Sequence, residues 1–83
     1  MNADYTYDSE TDQFVVTLDD GTEVCRTRAP HTQESKEVAQ TIVDLLCQDR
    51  ISLVGSQMIF RLVSRERTRK IQNLITFSET TPA

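Results

Sequence analysis

The sequence predicts an α+β fold: an N-terminal three-stranded antiparallel β-meander packed by an amphipathic helix, followed by a mainly helical C-terminal segment. Three observations carry this. Apolar residues recur at every second position up to residue 28, an Asp-Gly pair marks a tight connection, and over residues 32–49 the apolar spacing turns helical.

The meander spans residues 4–28. Tyr5 and Tyr7 alternate with polar neighbours, and Asp8-Ser9-Glu10-Thr11-Asp12 is a polar turn. Phe14, Val16 and Leu18 then fall on one face at period two, with Gln13, Val15 and Thr17 on the other. Asp19-Asp20-Gly21-Thr22 is the strongest local signal, because Asp-Gly supplies the positive φ that a hairpin turn requires. Residues 24–27 return antiparallel to 13–18.

Ala29-Pro30-His31 ends the sheet pattern, since proline disfavours helix in the residue before it and removes a ladder donor. A helix over 32–49 follows. Thr32 suits its N-cap, and Glu34 in the first turn complements the helix dipole. Val38, Ala39, Ile42, Val43, Leu45, Leu46 and Cys47 fill one half of the helical wheel. Glu37, Gln40, Thr41, Asp44 and Gln48 fill the other.

Residues 51–77 read as mainly helical. One straight helix would put Ile71, Leu74 and Ile75 about 120° away from Ile59, Leu62 and Val63. A helix from about Ser56 to Ser64, a bend, and a second from about Arg65 to Thr76 suit the pattern better. The rival is a strand over 57–63, in which Met58, Phe60 and Leu62 alternate and 51–54 pairs with them across Gly55. Residues 78–83 read as a frayed polar tail.

All 83 residues make one small domain. Such a chain buries only about 60–65% of the surface its unfolded form exposes, so a partner or a second copy is expected to cover some apolar surface. No apolar run exceeds three residues, far short of the roughly 18 a membrane span needs. Met1-Asn2-Ala3-Asp4 carries neither a basic region nor an apolar stretch, which reads against a secretory signal and for a cytoplasmic location. The same compartment makes Cys25 and Cys47 free thiols facing a core.

Catalytic and metal signatures are missing. His31 is the only histidine and reads as a solvated loop residue, with no nucleophile or orienting group that the sequence can place beside it. Asp8, Glu10, Asp12 and Asp19 do not follow the calcium-loop pattern: its sixth position, counted from Asp8, is Gln13 where glycine is needed, and its twelfth is Asp19. Gly21 and Gly55 are the only glycines, too few for a phosphate loop. The expectation is therefore no enzyme, no cofactor and no metal.

Charge is segregated. Residues 1–50 hold eleven acidic and four basic side chains, whereas residues 51–83 hold two and five. Arg61, Arg65 and Arg69 recur every four residues beside Arg67 and Lys70, a stripe suited to phosphate contacts if one helix carries it. Its competing reading is a solvated face paired with acidic groups. Met58, Ile59, Phe60, Leu74, Ile75 and Phe77 exceed what one sheet and one helix cover, so they form the expected partner interface, which a homodimer through residues 51–77 would bury. The leading functional expectation is a non-enzymatic protein-interaction or regulatory accessory module acting as a homodimer. Nucleic-acid binding through the basic C-terminal helix is the alternative.

Overall fold

A computed structural model describes residues 2–55 and 57–78. The chain runs β1 (Ala3–Asp8), β2 (Gln13–Leu18), β3 (Glu23–Thr27), α1 (Gln33–Cys47), β4 (Ile51–Val54), β5 (Gln57–Phe60), α2 (Arg65–Asn73) and β6 (Ile75–Phe77). These strands form a four-stranded sheet of order β1-β2-β3-β6 and a separate hairpin of β4 and β5, all antiparallel.

The meander follows its sequence pattern. Tyr5 opposes Val16 and Tyr7 opposes Phe14, so aromatic and β-branched side chains meet across the ladder. Phe14 and Val16 are buried in the core, whereas Val15 is buried on the other face, opposite Arg26 in register. At the Asp-Gly connection Gly21 has φ +88°, and Asp20 accepts the Thr22 N–H at 2.9 Å. The Thr22 hydroxyl, and then that bond, hold the Asp20 carboxyl below its usual pKa. Val16 pairs with Cys25 but Thr17 with Glu23, which leaves Val24 as an extra residue in β3. The bulge lets the adjacent Val24 and Cys25 both be buried.

Helix α1 begins as its sequence dictates. Thr32 accepts the Ser35 N–H at 3.1 Å, and Ser35 Oγ accepts the Thr32 N–H at 2.9 Å, so two otherwise unpaired donors are satisfied reciprocally. At the other end Arg50 N–H donates to Leu45 and Asp49 N–H to Leu46, with Asp49 left-handed at φ +57°. This is the Schellman arrangement, with aspartate where glycine is commonest. Between these caps Ile42, Leu46 and Ala39 are fully enclosed against the first three strands and β4. Cys47, expected to face the core, is exposed, and its thiol lies 3.8 Å from the Ala3 carbonyl.

The C-terminal segment is not mainly helical. Only α2 is helical there, while residues 51–60 form the β4–β5 hairpin and residues 75–77 a fourth strand of the main sheet. Period two decided the first part. Ile51, Leu53, Met58 and Phe60 pair across the hairpin and turn inward, and Gly55 at φ +60° begins the connection after β4. Ser64 accepts the Arg67 N–H at 3.2 Å and caps α2, and Ile71 is buried beneath it. Thr76 belongs to β6 and not to the helix. β6 pairs with β3, where Ile75 and Phe77 join the core that the meander and α1 leave open. Ser78, expected to begin the frayed tail, donates its N–H to Val24 at 3.0 Å, and residues 79–83 lie outside the described residues.

Candidate functional site

Of the six apolar residues expected at a partner interface, five pack on the molecule itself. Met58 and Ile75 are buried, and Phe60, Leu74 and Phe77 are half-buried against the core; Ile59 is exposed. The surplus is therefore smaller than composition suggests, because a second hairpin and a fourth sheet strand use most of it. What remains open lies on the outer side of the hairpin. There Val54 is 57% exposed and Ile59 45%, and Leu62 just beyond β5 is 87% exposed. Leu62 also has φ +57°, a left-handed conformation that a leucine adopts at a cost of about 1–2 kcal/mol. Arg50 holds this corner by donating to the Arg61 and Leu62 carbonyls.

Met58, Ile75 and Phe77 do come together, around an open cleft of about 410 Å³ that Arg28, Gln57 and Gln72 complete. One wall is the free edge of the main sheet. Leu74 accepts from Arg28 N–H and Ser78 donates to Val24, so by antiparallel alternation the backbone groups of Ile75 and Phe77 point away from β3. The Ile75 carbonyl is met there by Arg28 Nε at 2.9 Å. The cleft thus sets Met58, Ile75 and Phe77 beside a mainly polar lining of amide and guanidinium groups, with a sheet edge on one side.

The basic residues divide into three groups. Arg61 lies in the loop before α2, so the four-residue stripe is not carried by a single helix. Arg65, Arg67, Arg69 and Lys70 are exposed on α2, and among the described residues none of the five forms an ion pair. Arg67 and Lys70 line a groove of about 190 Å³ between the helices. Glu34, Glu37, Val38 and Thr41 of α1 face them across it, with Ile71 and Leu74 beside them. Arg65 and Arg69 are not part of that groove.

The polar face of the sheet is ordered by one cation. Arg26 donates to Glu23 at 2.8 Å and to Asp8 at 3.0 Å. Its guanidinium, hydrogen-bonded to both, holds the two carboxyls below their ordinary pKa. Tyr7 donates to Asp12 at 2.5 Å, and that bond raises the phenol's pKa. His31 is exposed but not simply solvated: its ring lies 5.0 Å from that of Tyr7 and 5.3 Å from that of Phe14. Burial pushes the Cys25 thiol up to about 12, which keeps it protonated and unreactive.

Among the described residues no three His, Cys, Asp or Glu side chains converge as a metal site. No described helix is long and apolar enough to cross a membrane. Val54, Leu62, Arg28, Gln57 and Gln72 were not legible as site residues. The available signal was Gly55-Ser56 between two short apolar runs, a hairpin cue that sets which residues face outward. Comparison with protein-family models, with curated proteins and with solved structures gives no match.

Proposed function

We propose that the chain is a non-enzymatic interaction module, a small regulatory or accessory protein that works as a homodimer and docks a partner protein through its C-terminal third. The supporting observation is the exposure of Val54 and Ile59 on the outer side of the hairpin and of Leu62 just beyond it. Among the described residues only Tyr7 joins these three as a large apolar side chain left exposed. Open apolar groups on a hairpin and just beyond it, with one of them held in a costly backbone conformation, suit an interface and are what a solitary chain has reason to avoid. The neighbouring cleft supplies a sheet edge and polar rim of the kind an extended partner segment uses.

Light scattering over a rising concentration series tests the homodimer. Twice the chain mass of 9.5 kDa is expected, and a mass that stays at the single-chain value overturns it. Replacing Val54, Ile59 and Leu62 together by serine is expected to abolish capture of the physiological partner while leaving the fold intact.

The second reading is nucleic-acid binding through Arg61, Arg65, Arg67, Arg69 and Lys70. It is favoured by their exposure without ion pairing among the described residues. Its signature is affinity that falls with salt by about one logarithmic unit per phosphate contact. No binding to DNA or RNA at low salt removes it.

A further inference from the structure

We propose that the twofold contact of the homodimer lies along the groove between α1 and α2, so that the acidic wall of each copy meets the basic wall of the other. This rests on the homodimer reading and adds the surface. Glu34 and Glu37 stand on one side of the groove and Arg67 and Lys70 on the other, with Val38, Ile71 and Leu74 between them. A face divided in this way is self-complementary. A twofold axis running along the groove carries left onto right, and each carboxylate pair then faces the partner's cations.

Three further observations favour a second copy as the occupant. Among the described residues no ion pair closes across the groove within one chain, so all four charges remain available. The acidic wall is free of opposing charge: Lys36 falls about 160° round α1 from Glu34 and about 100° from Glu37, and does not line the groove. The basic wall carries one counter-charge, Glu66, which leaves it net positive.

The test is a charge swap read by sedimentation, with far-UV circular dichroism to establish that each variant is folded. Glu34→Lys with Glu37→Lys makes both walls basic, and Arg67→Glu with Lys70→Glu makes both acidic. Each variant alone is expected to dimerise on the order of 100-fold more weakly than the wild type, through like-charge apposition. An equimolar mixture of the two is expected to recover a dimer that weakens as salt rises. Glu34→Gln with Glu37→Gln, which changes no side-chain shape, is expected to weaken dimerisation less than the reversal does. A wild-type dimer that both reversals leave intact overturns this surface while the homodimer stands. Two folded monomeric variants that fail to recover on mixing also overturn it. A wild-type chain that is monomeric throughout removes the homodimer and this surface together.

Discussion

Leu62 offers a measurement in which side-chain and backbone effects separate. At 87% exposure it keeps only about one-eighth of its burial, worth roughly 0.3 kcal/mol when full burial of a leucine contributes about 1.5–3 kcal/mol. Its φ of +57° costs about 1–2 kcal/mol for an L residue with a Cβ. Leu62→Gly removes that cost but frees the unfolded chain, which takes back about 0.4–1 kcal/mol. The balance is a gain of about 0.5 kcal/mol, or roughly 2–4 °C in Tm for a domain of this size. Leu62→Ala keeps the left-handed strain and loses only the small burial, so it is expected to lower stability by about 0.3 kcal/mol or less. Urea unfolding of the two variants beside the wild type, at equal protein concentration, gives the comparison. A glycine variant less stable than the alanine variant refutes the reasoning, since the corner would then carry no backbone strain for glycine to release.

Other perturbations follow from the same geometry. Ile42→Ala, at a fully enclosed position under α1, is expected to cost about 2–5 kcal/mol in urea unfolding, and a loss under about 1 kcal/mol would mean the site collapses onto the vacancy. Native-state labelling with a thiol reagent is expected to modify Cys47 alone, with Cys25 reacting only as the chain unfolds; equal rates at both would contradict the buried, protonated state of Cys25. Asp8 and Glu23 have carboxyl pKa values lowered by Arg26 from ordinary values of 3.8 and 4.5. Their contribution to stability is therefore complete above those ordinary values and is lost as pH falls through the lower folded-state ones. Arg26→Gln is expected to flatten that acid limb in a stability-against-pH series, and an unchanged limb would count against the pairing.

What the sequence made legible was local. The meander, the turn at Gly21, the Thr32 cap and the buried stripe of α1 each follow from spacing within a dozen residues, and each is where it was expected except for Cys47, which the end of the helix leaves exposed. Residues 51–60 went the other way because Ile59, Leu62 and Val63 fit a helical stripe as well as Met58 and Phe60 fit a strand, and short apolar runs do not decide between the two periods. Pairing decided it, through Ile51 opposite Phe60 and Leu53 opposite Met58. β6 is three residues long, and nothing in Ile75-Thr76-Phe77 announces that its partner is β3, nearly fifty positions earlier. The same long-range pairing drew Met58, Ile75 and Phe77 inward and left Val54 and Leu62 outside, so the exposed set could not be read before the topology was known.

The hairpin of β4 and β5 shares no backbone ladder with the main sheet. A two-stranded ribbon is marginal in water by itself, so this one persists only through Ile51, Leu53, Met58 and Phe60 lodged against the rest of the core. It is therefore the natural seam of the molecule, able to detach and reseat while the four-stranded sheet keeps every rung. Its amides should exchange with deuterium by such partial openings, ahead of those in β2 and β3, which are released only in global unfolding. Anything that grips its outer side from solution would slow that breathing, so exchange at β4 and β5 doubles as a reporter of occupancy.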